Sequence, residues 1–194
     1  MTERHKRPSR EHYCLFDTDL GACGVAWSAR GLTRFQLPEA DRRATEHRLR
    51  AISAGRGPEP PPPQVEQVIA DVQRYMAGKR VDFTSVALDL TGVSPFYCKV
   101  YAAARQVGWG ETATYGELAR QAGAPGAARA VGQALSRNPI AVIIPCHRIL
   151  ASGNKVGGFS AFGGTVSKQR LLGLEGVRIG AARAAGQLSL SERW

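Results

Sequence analysis

Residues 112–150 read TATYGELARQAGAPGAARAVGQALSRNPIAVIIPCHRIL, and the reading of the fold turns on them. Thr114 is followed three residues later by Glu117, a capping box in which hydroxyl and carboxylate each satisfy the other residue's free N–H. It opens a short helix that stops at Gly123. An Ala-Pro-Gly turn at 124–126 leads into a second helix over 127–138, rich in small residues and carrying Arg129 and Arg137. Two short helices joined by such a turn read as a helix-turn-helix, although any compact helical hairpin has the same pattern. Asn138-Pro139 is a turn former. The apolar run Ile140–Ile144 is expected as a buried strand that Pro145 ends.

Cys146 and His147 follow at once. A thiol near its free pKa of about 8.5 is mostly protonated at neutral pH, so a neighbouring imidazole is a candidate base for it. Adjacent side chains of a strand point apart, so direct use of the pair needs a turn at Cys146 or a bridging water. The plainer reading is an inert buried cysteine beside a histidine bonded to backbone. Downstream, GNKVGGFSAFGG (153–164) is a glycine-rich loop without the lysine-serine ending of a phosphate loop. Its scarcity of side chains lets backbone approach a flat ligand closely. A helix over 165–176 turns Leu171, Leu172 and Leu174 inward. Glu175 near its C-terminus is disfavoured by the helix dipole and calls for a partner, of which His147 is the natural candidate.

Upstream, Ser94 caps a helix that has Pro95 at its first position and Phe96, Val100, Tyr101, Ala104 and Val107 toward the core. The N-terminal half is organised differently. Residues 12–37 break into two or three short antiparallel strands, and 41–50 fit a short polar helix. The stretch 55–63 with its prolines is a stiff loop. Val65, Val68, Ile69, Val72 and Met76 recur at helical spacing, and 81–90 alternates as a further strand. Nothing in this half proposes chemistry.

Composition narrows the class. The chain has 194 residues, 43% hydrophobic and 22% charged, enough to bury roughly 70% of its extended surface in a core. The longest relevant apolar run is the five residues 140–144, far from the roughly 20 of a membrane span, so no membrane partner is expected. The N-terminus lacks the apolar core of a secretory signal, so the protein is expected to stay where it is made. The first ten or so residues are polar, basic and expected to be mobile. Net charge is +10, of which 95–176 carry +6 and 1–94 only +2. Such an excess favours a polyanion, but also serves as a solubilising surface. Four cysteines without a CxxC pair make a disulfide framework unexpected. A zinc site would have to gather distant ligands such as Cys14, Cys23 and His47, and no metal or cofactor is predicted.

The stretch 112–150, with Pro145-Cys146-His147-Arg148 preceded by A-A-R-A-V-G and Asn-Pro and followed by the glycine-rich segment, Lys168 and L-x-x-E-G, strongly resembles the methylated-DNA–protein-cysteine methyltransferases, the O6-alkylguanine-DNA alkyltransferases. The resemblance covers 95–176 closely and 12–94 weakly. It implies an α+β protein: a basic N-terminus over 1–11, a small variable ribonuclease-H-like domain over 12–92, a mainly helical domain over 93–180 with the helix-turn-helix and a buried active-site cysteine, and a tail over 181–194. It implies that Cys146 accepts the alkyl group irreversibly, that His147 takes the thiol proton through a water, and that Glu175 orients the imidazole. Tyr115 would supply a proton at guanine N3, and Asn138 would hold the active-site turn. Ser160 would sit near O6, Val156 and Gly157 would line the pocket wall, and Lys168 would support the loop on the substrate side. Double-stranded DNA bearing O6-alkylguanine is the implied partner, met in the minor groove. Arg129 would fill the gap left by the flipped base, Ala127, Ala128, Ala130 and Gly132 would permit close approach, and Leu135 and Arg137 would face the groove. A cytoplasmic, nucleoid-associated monomer fits this picture, with cooperative binding left open.

The sequence departs from the family in having Tyr101 where relatives often have Trp, an additional thiol at Cys98, and a loop FSAFGG two residues longer than the shortest. Two further readings stand beside the repair protein. A non-enzymatic lesion-binding relative usually lacks the cysteine, which is present here. A helix-turn-helix regulator needs long polar side chains on its second helix, where AARAVGQALSR has mainly small ones.

Overall fold

The computed structural model describes residues 11–52 and 58–179. Three strands, β1 (His12–Thr18), β2 (Gly21–Ser28) and β3 (Gly31–Gln36), form an antiparallel sheet in sequential order. The first connection is a two-residue hairpin, and Thr18 Oγ1 donates to Gly21 O across it at 2.7 Å. β2 sits between its neighbours, and its inner stretch is buried on both faces because α1 (Arg42–Ile52) covers the side away from the main core. Gly24 makes that approach possible: a Cβ there would lie 2.6 Å from Leu49 Cδ2. A proline-led helix, α2 (Pro63–Met76), buries Val65, Val68, Val72, Tyr75 and Met76 along one stripe.

The C-terminal half is helical. α3 (Pro95–Arg105) starts at Ser94, whose side chain accepts from Tyr97 N, with Pro95 at the first position as its sequence predicts. β4 (Ala113–Thr114) leads into α4 (Tyr115–Gln121), where both arms of the Thr114–Glu117 capping box are formed, at 3.1 and 2.6 Å. α5 (Ala128–Ser136) follows as the second helix of the helix-turn-helix pair, and Tyr101 Oη ties it to α3 by donating to Ala134 O. After β5 (Ile149–Leu150), which pairs with β4 in parallel, α6 (Thr165–Leu174) closes the described chain. The fold is α+β, and one hydrophobic core runs from Phe35 and Val72 through Val100 and Val131 to Leu171. No described helix is long and apolar enough to cross a membrane. The segment through residue 10, part of the proline-rich loop and the tail over 181–194 lie outside the described residues.

Two expected strands are absent. Residues 81–90 pair with the sheet's backbone at a single isolated bridge, between Leu32 and Leu88. The carbonyls a ladder would need are taken elsewhere: the Arg105 guanidinium donates to Phe83 O, Thr84 O and Val86 O, and Asp82 accepts from Thr84 N to form a turn. The run Ile140–Ile144 is buried as expected but is a turn, with Ile144 N bonded to Ile140 O and Val142 at φ 70°. A β-branched residue in the left-handed region is strained, so the surroundings must impose it.

Asp89 fastens the segment between the halves to the end of β2. Its Oδ2 accepts from Ser28 Oγ (2.6 Å) and Arg30, and its Oδ1 accepts from Thr91 N and Oγ1. Burial alone would raise this carboxyl, but those bonds hold it well below the usual carboxylate range. Its stabilisation is therefore complete above the unfolded pKa of about 4 and is lost as pH falls toward the depressed native value. Asp89→Asn is expected to lower stability at pH 7 by about 2 kcal/mol. It should also flatten the loss of stability below pH about 4, as read by urea unfolding at several pH values. A variant as acid-sensitive as the parent would contradict this.

Candidate active site

Pro145 ends the buried turn, and a single 3-10 turn, Cys146–Arg148, follows. This solves the problem posed by a strand: three consecutive side chains fan out around a tight helix instead of alternating. All three are buried, with Cys146 7% exposed and His147 fully enclosed. Asn138 holds the turn from below, its Nδ2 donating to Ile144 O (2.8 Å) and its Oδ1 accepting from Ile140 N (3.0 Å). Cys146 N donates to Ile144 O. These bonds satisfy the backbone that the left-handed Val142 would otherwise leave unpaired.

Glu175 ends α6, and its carboxylate is enclosed by donors. Oε1 accepts from Tyr75 Oη (2.6 Å), His147 Nε2 (2.7 Å) and Arg148. Oε2 accepts from Arg148 Nε (2.9 Å) and Gly110 N (3.2 Å). Arg148 Nη1 also donates to Val107 O. Burial would raise the carboxyl, but the His147 and Arg148 bonds hold it down at about 2, so it is ionised. Burial lowers the His147 pKa against the pull of Glu175, and Arg148 and Lys168 add to the lowering. The imidazole is therefore neutral at pH 7. With its one N–H directed from Nε2 to the carboxylate, Nδ1 is left as a bare lone pair, and Nδ1 is buried without a protein partner among the described residues.

A cavity of about 220 Å³ opens beside Cys146, lined by Tyr115, Gly132, Leu135, Ser136, Gly158, Phe159 and Ser160. Burial raises the Tyr115 phenol, which keeps it a proton donor. Burial also pushes the Cys146 thiol up, against the Asn138 hydrogen bond and the Lys168 charge. A buried thiol of this kind is a poor resting nucleophile and needs a base.

The structure brings Cys146, His147, Glu175 and Asn138 together, and gathers Tyr115, Gly132, Leu135 and Ser160 around the cavity. Other expectations need correction. Val156, Gly157 and Lys168 are outside its lining. Lys168 is fully buried, and its ammonium donates to Ile149 O and Gly158 O, so it supports the loop, as expected, by clamping it to β5. Gly157, at φ 69°, lies behind Tyr115: a Cβ there would be 3.1 Å from the phenol oxygen. Leu135 is 5% exposed and forms cavity wall instead of standing on an outer face. Ala127, Ala128 and Ala130 are partly exposed along the first turns of α5, with Arg129 and Arg137 fully at the surface.

Sequence reasoning missed two members. Arg148 was noted only as part of a motif, and Tyr75 belongs to the half that proposed no chemistry. The signal for Tyr75 was its position three residues after Val72 on the buried stripe of α2. That spacing marks the ring as core but says nothing of a hydroxyl meeting a carboxylate 100 residues away.

Residues 95–177 match the family described as 6-O-methylguanine DNA methyltransferase, DNA binding domain. The chain is similar to the methylated-DNA–protein-cysteine methyltransferase of Mycolicibacterium paratuberculosis, 48% identical over 101 residues. That match covers 52% of this chain and 59% of the relative, less than two thirds of its length. Similarity to the Mycobacterium bovis protein of the same name runs further, 36% identity over 167 residues, covering 86% of this chain and 93% of that one. The crystal structure of Mycobacterium tuberculosis OGT in complex with DNA superposes with a TM-score of 0.67 at 35% identity, covering 84% of this chain and 92% of that one. With 36% identity over 86% of this chain and 93% of that relative, the chain belongs to the methylated-DNA–protein-cysteine methyltransferase family.

Proposed function

We propose that this protein repairs O6-alkylguanine in duplex DNA by moving the alkyl group onto Cys146 Sγ, once per molecule. The observation that carries the reading is the buried Tyr75–Glu175–His147 chain beside a cysteine in a cavity wall. His147 Nδ1, acting through a water, takes the Cys146 proton. The thiolate attacks the alkyl carbon, an S–C bond forms, and the C–O6 bond breaks with its electron pair going to the purine. Tyr115, held protonated by burial, gives its proton to the departing base, so guanine leaves neutral, and the phenolate is restored by the proton that Cys146 gave to His147. No acyl oxyanion develops, which is why a phenol and loop amides suffice where a hydrolase needs an oxyanion hole. The product thioether has no leaving route, so turnover ends there.

A base inside a duplex cannot reach a cysteine that is 7% exposed, so the nucleotide must leave the stack. The small residues at the start of α5 suit close approach to the minor groove, whose limited code fits a protein that acts at any sequence. Arg129, exposed on that helix, fills the vacated stack. The DNA complex of the Mycobacterium tuberculosis relative supports DNA as the partner.

Purified protein incubated with a duplex carrying one O6-methylguanine should gain a single methyl on Cys146 by peptide mass spectrometry, and the Cys146→Ala form should gain none. Several turnovers per molecule, or methyl on another residue, would refute the reading. Arg129→Ala should slow transfer from duplex by at least tenfold, the scale of a few kcal/mol of flipping energy, while transfer from free O6-benzylguanine changes little. Equal losses would remove the flipping role. Tyr75→Phe keeps the ring against Trp109, 5.4 Å away, but deletes one donor to Glu175. The less satisfied carboxylate then favours the imidazolium, raising the His147 pKa, so the acid limb of the pH–rate profile should move to higher pH. The single-turnover rate should fall about threefold to tenfold, less than full removal of a base. An unmoved acid limb would leave Tyr75 a packing residue only.

A further inference from the structure

A second cleft adjoins the base cavity and belongs to neither α4 nor the reacting residues. It has a volume of about 320 Å³ and lies where the N-terminal sheet meets the end of α5. Ser136 and Ser160 line both, so the cleft continues from the mouth of the cavity. Three arginines from separate elements border it: Arg34 on β3, Arg48 on α1 and Arg137 just past α5. Its one acidic member, Glu39, is engaged by Gln36 Nε2 at 3.0 Å. Arg48 and Arg137 are exposed and form no ion pair among the described residues. Phe35, Pro139 and Ala161 supply an apolar floor between them.

Three guanidiniums over an apolar floor, continuous with a pocket that takes a nucleobase, match the alternation of phosphate and deoxyribose along one strand. We propose that this cleft holds the sugar-phosphate backbone of the lesion strand beside the flipped nucleotide, with Arg34 and Arg48 making the N-terminal half part of the DNA-binding surface. The inference rests on the repair reading above. An extruded nucleotide stays covalently tied to its neighbours, so its strand must cross the cavity mouth, and Ser136 and Ser160 mark where it crosses. Arg137 would hold one phosphate from the α5 side and Arg34 and Arg48 the next from the sheet side. The protein thereby grips the displaced strand from both halves and offsets part of the cost of extrusion.

The test compares the parent, Arg34→Ala/Arg48→Ala, Arg48→Lys, Arg129→Ala and a control outside the cleft, Arg74→Gln. Single-turnover alkyl transfer to Cys146 is measured as methyl from an O6-methylguanine duplex across a salt series, and as benzyl from free O6-benzylguanine. The double variant should lose about tenfold in duplex transfer near 0.1 M salt, and its log–log salt slope should flatten by about 1, for the one phosphate contact removed. Its free-base rate should stay within twofold of the parent, and Arg48→Lys should keep most of the duplex rate. A double variant with the rate and slope of Arg74→Gln, while Arg129→Ala is still impaired on duplex, overturns the cleft but leaves the repair reading intact. Equal losses on duplex and free base also overturn it, by assigning the arginines to the fold. A parent that gains neither methyl from the duplex nor benzyl from the free base overturns the repair reading itself.

Discussion

A carboxylate removed from water must be surrounded by donors or give up its charge, and Glu175 is removed from water almost completely. Everything near the reaction follows from how that requirement is met. Arg148 supplies the counter-charge, Gly110 a backbone N–H, Tyr75 a hydroxyl and His147 a ring N–H. The donors come from α2, the loop before β4 and the 3-10 turn, while Glu175 itself ends α6. One buried charge therefore ties four segments together. The standing ion pair is with Arg148, which frees His147 to remain a neutral imidazole and hence a base. A motif in which arginine follows histidine thus has a division of labour: the arginine neutralises the carboxylate, and the histidine only borrows its orientation.

Burial also acts on the thiols. Cys14 is pushed up to about 11 and Cys23 to about 12 by desolvation, so both stay protonated. Burial raises Cys146 as well. What distinguishes it is the adjoining cavity and a neighbouring imidazole whose free lone pair is assured by the tautomer. Selectivity therefore resides in proton transfer and access, not in a resting thiolate. On the repair reading this arrangement protects the nucleophile until a lesion arrives, because an exposed low-pKa thiol is open to oxidants.

Much of this was legible in the order of residues. The capping box at Thr114, Ser94-Pro95 at the start of α3, the small-residue helix and the Cys-His-Arg succession all follow local rules, and each stands as read. The pairing of His147 with Glu175 was also within reach, since a carboxylate at a helix C-terminus demands a partner. The misplaced elements share one cause. Residues 81–90 and 140–144 have strand-like composition, but polar side chains outside each segment, the distant Arg105 in one case and the adjacent Asn138 in the other, claim the backbone groups a strand would have used. Periodicity reports which face is apolar and cannot report who takes the carbonyls.

The sequence by itself determined the class of the fold and the helix-turn-helix, because these depend on neighbours within a few residues, and it singled out Cys146 and His147 through a family resemblance. Tertiary structure alone decided that Tyr75 completes the Glu175 shell, that Lys168 is an internal clamp, that Leu135 is cavity wall, and that arginines of both halves border one cleft. These are contacts across 10 to 100 residues. They arise because burying one continuous core brings the sheet, α2 and the C-terminal helices to a common point, and no local pattern records which polar groups arrive there together.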